Sequence, residues 1–151
     1  MSQKVKVLAV DDDATILECM ENFFSSEEFK VLKLTDGTKV METVAKERPD
    51  LILLDIKMPK CDGMQLCQQL REDPKNDFVP IIMSTGVGDD SMIVRLLQYG
   101  ADDYLVKPYN GPELVGKVKA LLAMAKEGKL PSQEYSKKVK PPSQGEYGEI
   151  G

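Results

Sequence analysis

Five short apolar runs, each stopping at a polar residue and each followed by a stretch of helical spacing, constrain this 151-residue chain more than any other feature. Val5 to Val10 stops at Asp11-Asp12-Asp13, and Ile16, Leu17, Met20, Phe23 and Phe24 then recur as in an amphipathic helix running to about Ser26. Val31 to Thr35 is closed by Asp36-Gly37, and Val40, Met41 and Val44 carry a second helix to Arg48-Pro49, where the proline ends it. Leu51-Ile52-Leu53-Leu54 is apolar throughout, the pattern of a central strand covered on both faces, and it stops at Asp55. A loop from Lys57 to Gly63 leads to Met64, Leu66, Cys67 and Leu70. Pro80 to Met83 stops at Ser84-Thr85-Gly86, and Met92, Ile93, Leu96 and Leu97 follow, closed by Gly100. Tyr104-Leu105-Val106 stops at Lys107-Pro108, after which Pro112 suits the first turn of a helix carrying Leu114, Val115, Val118, Leu121 and Leu122. The alternation predicts an α/β fold, a doubly wound five-stranded parallel sheet with five helices on its two faces. Ligands of such sheets sit at the carboxyl ends of the strands, so Asp11, Asp12, Asp55, Thr85 and Lys107 are expected in one shallow pocket.

Composition sets the boundaries and removes some chemistries. Residues 127–151 are rich in Pro, Gly and Ser and hold only Leu130, Tyr135, Val139, Tyr147 and Ile150 as apolar side chains. That segment cannot build a core of its own, which divides the chain into a folded domain at 1–126 and a polar tail or linker at 127–151. Its Lys137-Lys138-Val139-Lys140 run reads as a solvated stretch. The absence of histidine excludes the usual zinc ligand and every Ser-His or Cys-His nucleophile. Cys19, Cys61 and Cys67 form no CxxC pair, which argues against a disulfide framework and for a reducing compartment. No run approaches the roughly 18 apolar residues that span a membrane. A cytoplasmic protein without membrane contact is expected, and 25 acidic residues against 20 basic argue against direct nucleic-acid binding.

The strand ends suggest a specific chemistry. Clustered carboxylates raise one another's pKa unless a cation joins them, and oxygen donors with room for water suit Mg²⁺. A carboxylate beside that ion can attack phosphorus and form an aspartyl phosphate. A lysine ammonium and a threonine hydroxyl would then meet the phosphoryl oxygens, and Gly86 places no side chain in the way.

The segments VDDD, LILLDIKMPKCDG, PIIMSTG and YGADDYLVKPY resemble the receiver domain of two-component response regulators, of the chemotaxis-regulator type, across about residues 4–125. The resemblance implies a flavodoxin-like fold with strand order 2-1-3-4-5 and a signalling domain rather than an enzyme. It implies that Asp55 is the phosphoacceptor and that Asp11, Asp12, Asp55 and the Lys57 carbonyl bind Mg²⁺. Thr85 resembles the switch hydroxyl, Lys107 the phosphoryl-contacting lysine with a cis bond to Pro108, and Tyr104 the aromatic switch. Asp13 has no counterpart role and reads as the cap of the first helix. The implied partner is a sensor histidine kinase or histidine phosphotransfer protein, since this chain has no histidine to donate. Phosphorylation would switch the face made by the fourth helix, fifth strand and fifth helix, through which a homodimer could form. Arg95, Gln98, Tyr99, Lys117 and Lys119 are expected on or near that face. Lys57 and Val87 stand at the two positions that tune phosphoryl lifetime in this family, and neither can orient an attacking water, so slow self-dephosphorylation is expected.

A competing assignment starts from Asp11-Asp12-Asp13-Ala14-Thr15, which fits the DxDxT signature of haloacid-dehalogenase-type phosphatases, with Ser84 or Thr85 as their hydroxyl and Asp102-Asp103 as their acidic pair. It leaves Asp55 without a function and places Lys107 after the acidic pair instead of before it. A receiver that never takes phosphate is the third possibility, against which stands the complete set Asp11, Asp12, Asp55, Thr85 and Lys107.

Overall fold

The structure, a computed structural model, describes residues 4–25, 28–86, 88 and 91–138. The five runs form strands β1 (Val5–Val10), β2 (Phe29–Leu34), β3 (Leu51–Asp55), β4 (Ile81–Thr85) and β5 (Asp103–Val106). All neighbours pair in parallel in the order β2-β1-β3-β4-β5, the flavodoxin-like order expected. Between them run α1 (Ala14–Phe23), α2 (Val40–Glu47), α3 (Gly63–Arg71) and α4 (Met92–Gln98), and after β5 comes α5 (Gly111–Lys126). A two-residue hairpin, Lys57–Met58 with Cys61–Asp62, fills the loop between β3 and α3. Among the described residues, no helix is long and apolar enough to cross a membrane.

The alternation of side chains along a strand divides the core in two. In β3, Ile52 and Leu54 join α2, α3 and α4 through Val44, Leu70 and Leu96, while Leu51 and Leu53 join α1 and α5 through Leu17 and Leu114. All four strand residues are buried, and each fully buried side chain of this kind contributes about 1.5–3 kcal/mol. Local chemistry fixes where the helices begin. Asp13 caps α1 by accepting from the Thr15 N–H at 2.9 Å, and Asp62 caps α3 through Met64 at 2.8 Å. Asn110 caps α5 through Glu113 at 2.7 Å, with Pro112 in the first turn. Before Pro49, α2 ends on Arg48 in the left-handed region (φ 50°), held there by its guanidinium on the Lys75 carbonyl at 2.9 Å.

The segment expected to be a polar tail from 127 is folded as far as Lys138. Gly128 turns the chain with φ +69°, Leu130 is fully buried among the α1 and α5 side chains, and a sixth helix follows, α6 (Pro131–Lys138). Leu130 and the Ser132 N–H are among the groups that attach this helix, and composition averaged over 25 residues hides both. Residues 139–151, with part of the lysine run, lie outside the described residues.

Candidate functional site

Asp11, Asp12, Asp55, Thr85 and Lys107 all lie at or just beyond the carboxyl ends of strands. Asp11 follows β1, and its N–H donates to the Leu34 carbonyl at the end of β2 (3.1 Å). One of its carboxylate oxygens accepts the Asp13 N–H at 2.9 Å. The other lies 2.8 Å from Lys107 Nζ, which also reaches Asp55 Oδ2 at 3.2 Å. Lys107 is aimed by its backbone, whose N–H donates to the Thr85 carbonyl at 2.7 Å, and its bond to Pro108 is cis. Asp11 and Asp55 are buried, Asp12 is exposed, and the three can present oxygens within 4.8 Å of one another.

Charge is tightly coupled here. Burial raises the Asp55 pKa above its ordinary value and the Asp11 carboxylate raises it further, while the Lys107 ammonium and a hydrogen bond from the Lys57 backbone oppose both. Burial alone would lower the Lys107 pKa, but its bond to Asp11 and the Asp55 charge outweigh that and leave it raised. Three carboxylates facing one ammonium keep an excess of negative charge, open to solvent through Asp12. Such an all-oxygen cluster could hold a hard divalent cation.

The neighbouring backbone is packed close to Asp55. A Cβ on Gly63 would stand 2.1 Å from the Asp55 carbonyl oxygen, so the Asp62-Gly63 pair lets α3 start against the end of β3. Gly63 N–H also donates to the Ile56 carbonyl at 2.8 Å. Thr85 is buried, whereas a Cβ on Gly86 would meet nothing within 4 Å among the described residues. Lys57 is exposed in the hairpin, and Val87 lies outside the described residues. Tyr104 pairs with Met83 inside β5, two residues before the strand ends, with the Lys117 ammonium 5.8 Å from its ring centre.

Sequence reasoning missed Tyr109, and it named Ser84 only as a hydroxyl for the phosphatase assignment. Both place hydroxyl oxygens in the interior, Ser84 on β4 where it pairs with Asp55 and precedes Thr85, and Tyr109 two residues after Lys107. Burial raises the Tyr109 pKa, the Ser84 hydroxyl beside it opposes that, and the Asp11 charge adds to it. Only the assignment of Ser84 to the α1–α5 side of the sheet could have paired the two.

Several residues expected on the face of α4, β5 and α5 lie elsewhere. Tyr99 is buried in the core on the α2–α4 side. Arg95 lines a groove with Tyr99, Met58, Asp62 and Met64, and Lys119 points to Glu28 at 3.9 Å. Lys117 does reach β5, through Asp103 at 3.0 Å. Helical spacing shows which side chains share a side but not which element that side meets.

The sequence pattern of the response regulator receiver domain matches residues 7–119. The response regulator MprA of Mycobacterium leprae is 39% identical over 122 residues, 81% of this chain and 53% of its own. The phosphate regulon transcriptional regulatory protein PhoB of Rhizobium meliloti is 38% identical over 121 residues, 80% of this chain and 53% of its own. The chain thus spans about half the length of these curated relatives. Among solved structures, the chemotaxis response regulator CheY4 of Vibrio cholerae superposes with a TM-score of 0.72 at 28% identity, covering 79% of this chain and 99% of that one. With a relative named as a transcriptional regulatory protein, the exclusion of nucleic acid drawn from net charge is withdrawn.

Proposed function

Because the chain belongs to the receiver domain family of two-component response regulators, we propose that Asp55 accepts a phosphoryl group from a phosphohistidine on a sensor kinase or phosphotransfer partner. The observation that carries this is the Lys107 ammonium, 2.8 Å from Asp11 and 3.2 Å from Asp55. Asp11 and Asp55 are both buried and both face that charge, and the resemblance of LILLDIKMPKCDG to the receiver pattern is what selects Asp55 as the acceptor.

An Asp55 oxygen bonds to phosphorus as the phosphorus–nitrogen bond of the partner's imidazole breaks, and the nitrogen keeps that electron pair. Asp11, Asp12, Asp55 and the Lys57 carbonyl would hold Mg²⁺, which offsets the charge on the phosphoryl oxygens; the oxygen-only donor set fits that ion. Lys107 exchanges its contact with Asp55 for the phosphoryl group and thereby neutralises part of the new charge. The Thr85 hydroxyl then turns toward the phosphoryl group, Tyr104 takes the vacated room, and the face of α4, β5 and α5 shifts. With Lys57 and Val87 at the lifetime positions, the acyl phosphate decays slowly. A Mg²⁺-dependent decay that is complete within seconds would contradict that reading of Lys57 and Val87.

The phosphatase assignment needs Asp102 and Asp103 near Asp11. They stand at the opposite end of β5 from Lys107, where Arg71 holds Asp102 at 2.8 Å and Lys117 holds Asp103 at 3.0 Å. Labelling with acetyl phosphate and Mg²⁺ separates the two. The wild type takes label, Asp55→Asn takes none, and Asp11→Asn takes it only at higher Mg²⁺. Label that survives Asp55→Asn overturns the proposal. A wild type that binds no beryllofluoride with Mg²⁺ would favour a receiver that never takes phosphate.

A further inference from the structure

Helix α6 crosses the outer side of the sheet just where the switching face begins. Its approach, through Leu130, is anchored on the α5 side with Leu121 and Leu114. Its second residue, Ser132, is buried and donates its N–H to Asp102 Oδ1 at 2.9 Å, immediately before β5. From there the helix packs against α4. It therefore bridges α5 and α4 across the start of β5, the last strand of the sheet.

The anchor is a buried polar junction. Asp102 is 2% exposed, and its other oxygen accepts the Ile81 N–H at 2.9 Å and Arg71 Nη2 at 2.8 Å. Arg71 Nε donates in turn to the Gly100 carbonyl, just past α4, at 2.7 Å. One carboxylate and one guanidinium thus tie the seat of α6 to the end of α4, the start of β4 and α3. Only four strand residues, Asp103 to Val106, separate this junction from Lys107.

We propose that α6 is a removable cover on the face of α4, β5 and α5, docked while Asp55 is free and released when Asp55 carries phosphate. The inference rests on the reading of Asp55 above. The physical argument is linkage: α6 packs on α4 and its approach, Leu130, packs with α5 side chains, so a shift that opens either contact makes phosphorylation and docking weaken each other by the same factor. Val94 of α4 and Val106 at the far end of β5 are exposed with α6 docked, so the face already carries apolar surface.

Amide hydrogen exchange on the full chain tests this, with beryllofluoride and Mg²⁺ in place of the phosphoryl group. Residues 132–136 are expected to exchange slowly at rest and about tenfold faster or more once beryllofluoride binds. Leu130→Ala removes the apolar anchor. Ser132→Pro deletes the N–H given to Asp102 and leaves the core intact. Each is expected to release α6 at rest and to bind beryllofluoride several-fold more tightly than wild type. Beryllofluoride binding with unchanged exchange in α6, or a released α6 with unchanged affinity, overturns the cover and spares the Asp55 reading. Failure of the wild type to bind beryllofluoride overturns both.

Discussion

Lys107 acts as an internal counter-ion: with its ammonium within 3.2 Å of two buried carboxylates, it partly does for Asp11 and Asp55 what a bound cation would do more completely. Removing it by Lys107→Met leaves two buried like charges uncompensated. The metal-free protein should lose about 3 kcal/mol or more in denaturant unfolding, and saturating Mg²⁺ should restore a larger part of stability than it adds to wild type. The Asp55 shift sets a pH dependence. Burial first, then Asp11, raises its folded pKa above the ordinary 3.8. The stability tied to its protonated form is therefore full below that ordinary value and lost as pH rises through the folded value. Without metal, Asp55→Asn should melt above wild type at pH 7, and the gap should close as pH falls toward 4. An equal gap at both pH values would show that ionisation is not the cause. The charged members of this site were legible because each follows an apolar run that ends abruptly. Ser84 and Tyr109 were not, because their meaning depends on which face of β4 points to which helix.

The loop from Asp55 to α3 shows how one element sets the geometry of another. Asp62 caps the helix and Gly63 lets it start against β3, so α3 and β3 share a backbone contact that admits no side chain. Gly63→Ala should force that backbone apart and cost about 1–3 kcal/mol, read from a denaturant midpoint. It should also weaken Mg²⁺ binding, whereas an alanine at Gly86, which faces open space, should change stability far less. Strand and helix order were legible almost throughout, since period and punctuation agree: Pro49 after α2 and Pro112 in α5 both stand where the structure uses them. The outward faces of the helices were not. Tyr99, Arg95 and Lys119 sit at helical spacings that look exposed, and only tertiary packing shows that they meet the core, the hairpin loop and Glu28.

For the molecule as a whole, the Asp102–Arg71 junction joins parts that are distant in sequence. Asp102→Ala would leave the Arg71 guanidinium without its carboxylate and two N–H groups without an acceptor, at a cost of about 3–5 kcal/mol measured by chemical unfolding. Asp103→Ala, one residue on, loses a partly exposed pair with Lys117 and a local acceptor for the Tyr104 N–H, and should cost about 1 kcal/mol, well below Asp102→Ala. Composition placed the domain boundary at 126 and carries no sign of α6, because groups such as Leu130 and the Ser132 N–H leave almost no trace in an average. Among the described residues β5 has a neighbour on one side only, so part of its row of N–H and C=O groups is a template for strands of other molecules. A chain cut at 126 loses Leu130, Ser132 and the helix lying across the start of that strand. Such a fragment would present a sticky border to its own copies, and light scattering on heating should reveal aggregation that the chain carrying α6 resists.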